Sequence, residues 1–280
     1  MTGVGEVLRR TRAQGRAALV GYLPVGYPDV AGSIEAMVAM VHSGVDIVEI
    51  GVPYTDPLMD GPVIQHAAEA ALRAGSRLSD VFTAVRAVAD AGAPALVMTY
   101  WNPVLRYGVE RFAADLAGGG GAGLITPDLI PDEAGEWIAA AQRHDLDRVF
   151  LVAPSSTDDR LASTTAACRG FVYAASTMGV TGARTAVGDA AETLVRRARK
   201  VTDTPLCVGL GVSTGEQAAE VARFADGVIV GSALVRCLVE AESRDAGLSA
   251  LRHLCAELAA GVRRTTHVVA NGASSEGVLP

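Results

Sequence analysis

Eight short runs rich in Val, Ile, Leu and Ala, each followed by a segment of helical periodicity, leave this chain few folds to adopt. The runs span residues 17–23, 46–52, 95–100, 123–126, 148–153, 170–175, 206–209 and 227–230. They are continuous rather than alternating, which is the pattern of parallel strands covered on both faces. Helical periodicity is read over 33–43, 78–91, 110–117, 132–143, 158–168, 189–200, 214–223 and 232–242, with a closing helix over 248–264. Ser33 and Asp158 are the expected N-caps of two of these helices. Eight strand–helix units in about 240 residues predict a single-domain (β/α)8 TIM barrel. The competing fold is an open doubly wound sheet. That fold normally carries a glycine-rich turn after its first strand, and here the turn is Leu23-Pro24-Val25-Gly26-Tyr27-Pro28. The barrel is therefore the preferred reading, over residues 1–264. Residues 265–280 have little apolar patterning and are expected to form a flexible tail.

The chain has 280 residues, is 50% hydrophobic and 20% charged, and so can bury a large core. A net charge of −7 argues against a nucleic-acid partner. No apolar run approaches a membrane span, and the N-terminus lacks a signal-peptide core, so a cytoplasmic protein is expected. The four cysteines (168, 207, 237 and 255) show neither CxxC pairing nor histidine spacing. Reduced thiols are expected, and no metal site. Among 24 basic residues only Lys200 is a lysine, and it ends a helix whose basic end reads as solvated surface. Lysine imine catalysis, resident pyridoxal phosphate and a Gly-Lys-Ser/Thr phosphate loop are thereby excluded. Any phosphate must be held by arginine or by backbone amides.

A barrel carries its chemistry at the C-terminal ends of its strands. The densest polar cluster there is VEIGVPYTDPLMDGP, residues 48–62. Glu49 lies inside the strand between Val48 and Ile50, and alternation turns it away from both, toward the barrel mouth. A carboxyl in that position is costly to ionise, which suits general acid–base work. The alternative is a structural Glu paired with a buried Arg. Asp56 and Asp60 follow on the loop, where Asp residues commonly form turns or caps. Three prolines and two glycines make this a fixed excursion, able to return a carboxylate across the mouth toward Glu49. Glycine-bearing turns follow the sixth, seventh and eighth strands, around Gly179 and Gly182, Gly209 and Gly211, and Gly231-Ser232. Together they point to a phosphorylated substrate held by amides and a helix N-terminus. Arg184 is either a further phosphate ligand or a solvated side chain. His42 and His66, on helical stretches, are read as surface or packing residues.

The segment 48–62 resembles the signature of the tryptophan synthase α subunit family. So, in order, do GYLPVGYPD (21–29), MTYWNP (98–103), GLITPDLIP (123–131), FLVAPSS (150–156), YAASTMGVTGA (173–183), GLGV (209–212) and GVIVGSA (227–233). The resemblance covers about residues 5–262. It implies retro-aldol cleavage of indole-3-glycerol phosphate to indole and D-glyceraldehyde 3-phosphate. It assigns Glu49 as the general acid–base, Asp60 as the carboxylate on the indole N–H, and Tyr173 as a supporting tyrosine. Tyr22, Tyr100 and Leu210 would line the indole pocket. Gly182, Gly211, Gly231 and Ser232 would hold the phosphate, with Thr181 on a closing loop. The resemblance also implies no cofactor in this chain and a pyridoxal phosphate β subunit as partner, in an α2β2 tetramer. Asp56, Pro57, Asn102, Pro103 and Asp128 match the region that meets that subunit. Three departures stand out: Tyr22 where many members have Phe, Met59 in place of a small residue, and one extra residue at 129–131. Rival readings are a free-standing lyase that releases indole, a non-catalytic channel-forming or activating subunit, and another phosphate-sugar isomerase on the same barrel.

Overall fold

A computed structural model of the chain describes residues 3–175, 184–209 and 211–264. The apolar runs form strands β1 (Ala18–Pro24), β2 (Ile47–Gly51), β3 (Ala95–Met98), β4 (Gly123–Ile125), β5 (Asp147–Val149), β6 (Leu151–Val152), β7 (Val172–Ala175), β8 (Leu206–Gly209) and β9 (Gly227–Val230). Each pairs in parallel with its spatial neighbour, in the order β5-β4-β3-β2-β1-β9-β8-β7-β6. The two ends of that order are consecutive in the chain. β5 pairs with β4 and β6 pairs with β7, so the covalent link through Phe150 closes the ring. The fold is thus the TIM barrel expected, with the anticipated fifth strand divided in two. Its lower half bonds one neighbour and its upper half the other. Arg148 meets Arg169 in an isolated antiparallel bridge just below the point where β7 joins.

Strand alternation separates two layers of side chains. Val20, Ile47, Leu96, Ile125, Val149, Phe171, Cys207 and Ile229 fill the barrel interior. Their sequence neighbours, among them Leu19, Val48, Val97, Leu124, Val172, Val208 and Val228, pack outward with the helices. The lower end of the interior is closed by the helix Val4–Ala13, which the periodicity did not single out. Its buried Val4, Val7 and Leu8 join the interior cluster, and the Val4 amide donates to the Asp147 carboxylate. Two further carboxylates tie strand starts together. Asp46 accepts from Leu19 N at 2.9 Å and from both terminal nitrogens of Arg16. Asp226 accepts from Leu206 N at 2.8 Å and from Arg199 at 2.7 Å.

Two expected caps fall elsewhere. The helix Val30–His42 is capped by Asp29, which accepts from Gly32 N, and Asp158–Ala167 by Thr157, which accepts from Arg160 N. Ser33 lies within the first turn, where its hydroxyl donates to Val30 O and accepts from Gly26 N. It therefore pins the exit of β1 rather than starting a helix. The short helix Trp101–Tyr107 after β3 was also unexpected; it leaves the strand directly at Tyr100. All four cysteines are unpaired, with Cys237 half-buried and the others buried. Among the described residues no helix is long and apolar enough to cross a membrane. The tail 265–280 lies outside the described residues.

Candidate active site

Two residues above each apolar interior position stands a residue of the barrel mouth. Tyr22 follows Val20, Glu49 follows Ile47, Tyr173 follows Phe171, Gly209 follows Cys207, and Gly231 follows Ile229. Parallel register sets Tyr22 beside Glu49, and Tyr173 beside Cys207. Glycine at the neighbouring positions is what makes room for the two rings. A Cβ on Gly51 would collide with the Tyr22 hydroxyl, and one on Gly209 would lie 2.6 Å from that of Tyr173.

Glu49 is 1% exposed, and its Oε2 is buried with no hydrogen-bond partner among the described residues. Among the described residues no arginine pairs with it, which speaks against the structural alternative of a buried ion pair. Burial first, and then the charge of Asp60, push its carboxyl from an ordinary 4.5 up to about 8. At neutral pH it is therefore a protonated acid in a mouth lined by Tyr22 and Tyr173. Burial, followed by the Asp60 and Glu49 charges, holds the Tyr22 hydroxyl well above its ordinary range. Tyr173 is raised in the same way by burial and then by Glu49.

The Asp60 loop returns across the mouth as the proline and glycine content suggested. Tyr100, at the end of β3, receives hydrogen bonds from Leu58 N (2.9 Å) and Met59 N (3.0 Å), and its hydroxyl donates to Asp60 Oδ1 at 3.4 Å. Burial raises Asp60, and the Tyr100 hydrogen bond opposes that rise. On the far side, Gln65 Nε2 donates to the Asp60 carbonyl at 2.8 Å. Gln65 escaped the sequence reading. Its only sequence signal is its place at the fourth position of the helix Pro62–Arg73, one turn after the loop. Asp56 is exposed and accepts from the neighbouring Thr55 hydroxyl, away from Glu49.

The opposite rim holds the glycine turns. Gly231 precedes the helix Ser232–Val239 and offers it no side-chain cap. Leu234 N and Val235 N donate to Gly231 O, so the amides of Ser232 and Ala233 are the ones that precede the helix's own acceptors, and they begin directly above β9. The helix Gly215–Ala222 after β8 is already furnished. Glu257 accepts from Gly215 N, Thr214 from Gln217 N, and Gln217 from Ser213 N. Gly211 has φ +66°, a backbone conformation suited to glycine. Thr181, Gly182 and Leu210 lie outside the described residues, as does the Arg184 side chain. Among the described residues no three His, Cys, Asp or Glu side chains gather as metal ligands do.

The loops beyond β2, β3 and β4 meet on one flank of the mouth. Asp128 accepts from Trp101 N at 2.9 and 3.1 Å, and Asn102 donates to the Tyr54 hydroxyl. Leu58, Met59, Leu105 and Ile130, all on these loops or the helix they carry, are exposed. Apolar side chains concentrated this way mark a protein contact surface.

The family described as tryptophan synthase alpha chain matches residues 8–263. The tryptophan synthase alpha chain of Mycobacterium avium is 64% identical over 93% of this chain and 94% of its own. A solved structure of Mycobacterium tuberculosis tryptophan synthase superposes with a TM-score of 0.87 at 63% identity, covering 93% of this chain and 98% of that one. Tryptophan synthase subunit alpha from Legionella pneumophila reaches a TM-score of 0.86 at 30% identity, over 94% and 99% of the two chains. By its motifs, its barrel and these likenesses, the chain belongs to the tryptophan synthase alpha chain family.

Proposed function

We propose that the chain is a carbon–carbon lyase that cleaves indole-3-glycerol phosphate to indole and D-glyceraldehyde 3-phosphate. The observation that carries this reading is the buried, unpartnered carboxyl oxygen of Glu49, set in the mouth and facing Asp60. Glu49 gives its proton to indole C3, and the ring becomes a cation able to accept the electrons of the bond to the glycerol carbon. The glycerol hydroxyl on that carbon then loses its proton to the Glu49 carboxylate. Its oxygen forms the aldehyde, the carbon–carbon bond breaks, and its electron pair restores the indole ring. One proton is given and one taken, so the enzyme returns to its starting state. Asp60 accepts from the indole N–H and stabilises the ring charge as it develops. The indole is the electron sink, and a lysine imine is unnecessary.

Tyr22, Tyr100 and Leu210 line the ring site, and Tyr173 supports Glu49. The amides of Gly231 and Ser232, with Gly182 and Gly211, hold the phosphate, and Thr181 sits on the loop that closes over it. The chain itself needs no cofactor. The pyridoxal phosphate chemistry that consumes indole belongs to a β subunit, with which this chain assembles as α2β2. The exposed Leu58, Met59, Leu105 and Ile130 favour this partnered form over a free-standing lyase. The test is indole release from indole-3-glycerol phosphate by the chain with and without a β subunit. Strong activation by the partner supports the reading. Equal turnover alone and in the mixture supports a free-standing lyase, and no release in either rejects the assigned reaction.

A further inference from the structure

We infer that Tyr100 is the positioning residue of the Asp60 loop: its hydroxyl is clamped by two consecutive amides of that loop and turned as a donor toward the Asp60 carboxylate. The inference rests on the proposed role of Asp60 at the indole N–H, and goes beyond a tyrosine that merely lines the ring site.

A phenol hydroxyl has one proton and two acceptor lone pairs. Leu58 N at 2.9 Å and Met59 N at 3.0 Å engage its oxygen as acceptor, which leaves the proton to point elsewhere. The carboxylate within reach is Asp60 Oδ1 at 3.4 Å. Accepting two N–H groups polarises the O–H bond and strengthens it as a donor. The ring is itself held: Tyr100 is buried, it packs on Tyr54 with centroids 5.2 Å apart, and its residue caps a helix whose first amide Asp128 secures. With Gln65 holding the Asp60 carbonyl, the aspartate is fixed from both sides.

Among the described residues the ionisable groups facing Asp60 are Glu49 from β2, Tyr22 from β1 and Tyr100 just beyond β3. Of these three, Tyr100 is the one that favours its charged form. Without that hydroxyl the carboxylate loses its orientation and keeps its proton to higher pH.

The experiment uses the full chain assembled with a β subunit and compares Tyr100→Phe with 3-fluorotyrosine at position 100, whose more acidic hydroxyl is a stronger donor. In Tyr100→Phe, kcat is expected to fall about tenfold or more, with KM within about threefold and the acid limb of the kcat profile moved up by about half a pH unit. The fluorinated residue moves that limb the opposite way. Carboxyl carbon NMR of Asp60 in the full chain, identified with Asp60→Asn, follows the same proton without substrate. It separates the two claims: no indole release by the unaltered complex rejects the proposed reaction, while the titration still tests Tyr100. An Asp60 titration unmoved by Tyr100→Phe, or moved the same way by both replacements, overturns the inference. So does a variant whose only change is in KM.

Discussion

The hydroxyl of Tyr22 occupies the space that a side chain at Gly51 would need, across the first pair of strands of the barrel mouth. Tyr22 pairs with Glu49, and Gly51 lies one side-chain position above Glu49 on the same face. The glycine and the tyrosine are therefore one fitted unit beside the acid. Gly51→Ala must push the ring toward Glu49 or bend β2. Overpacking of this kind costs about 1–3 kcal/mol. The variant is expected to stay folded but to lose most turnover, about tenfold or more. Gly51→Ala combined with Tyr22→Phe should recover only a small part of it, because the ring carbons Cζ and Cε2 lie 2.5 and 2.6 Å from the added Cβ and remain in phenylalanine. Steady-state kinetics and thermal melting of the two variants check this. A single variant as active as the unaltered chain would show that the fit is loose.

Glu49 makes opposite demands on activity and stability. Its carboxyl is raised to about 8, so the proton donor is present below that pH and kcat should decline above it. The native state also retains a proton that the unfolded chain releases near 4.5. Stability contributed by Glu49 is thus fully present below pH 4.5 and is lost, at about 1.4 kcal/mol per pH unit, as pH rises toward 8. Glu49→Gln should abolish indole release and leave phosphate-ligand binding largely intact. It should also become progressively more stable than the unaltered chain between pH 5 and pH 8. Urea unfolding at the two pH values measures the difference. A constant difference would mean that Glu49 is not a neutral buried acid.

What could be read in advance, and what could not, follows from the range of the interactions. Eight continuous apolar runs were enough for a barrel, and Glu49 was visible because a polar residue interrupts one of them. The division of the fifth strand was not visible, since Phe150 is as apolar as its neighbours and only the stagger of the barrel divides its bonding between β4 and β7. Ser33 and Asp29 are equally good cap residues, and the choice between them depends on where the chain leaves Pro28. The Tyr100 clamp joins residues more than 40 apart through a loop that returns across two strands, a contact that no local pattern encodes. Gln65 was hidden for the same reason, although it lies only five residues from Asp60. The expectation of a phosphate at the glycine turns came from their places after the last three strands, whereas assigning Asp60 to the indole N–H and choosing Gly182, Gly211, Gly231 and Ser232 as the ligands came from the family resemblance.

The rim at Gly231 permits a test of the phosphate assignment. A Cβ on Gly231 would be 3.5 Å from the Tyr22 ring, an ordinary contact, so a side chain fits there. In Gly231→Asp a carboxylate would stand at the helix N-terminus and compete for the amides that a phosphate would use. KM for indole-3-glycerol phosphate is expected to rise about tenfold or more, and binding of inorganic phosphate to weaken in parallel. Melting temperature should hold or rise slightly, as the new side chain caps the helix. An unchanged KM would move the phosphate site away from this helix.

Leu58 is 77% exposed, although it stands next to the clamp that holds Asp60. Its amide belongs to the interior of the site while its side chain faces outward beside Met59, Leu105 and Ile130. An isolated chain gains almost nothing from this leucine, so Leu58→Arg should alter stability by no more than about 0.5 kcal/mol. A partner seated on the patch would instead have to bury a charge. Affinity for the β subunit should fall about tenfold or more, and activation by that subunit should require correspondingly higher concentrations. Turnover at saturating β subunit should largely return, because the Leu58 and Met59 amides still reach Tyr100. Titration calorimetry measures the first effect and an activation curve the second. Unaltered affinity would place the partner on another face, and lost turnover at saturation would show that the side chain itself, and not only its amide, sets the Asp60 loop.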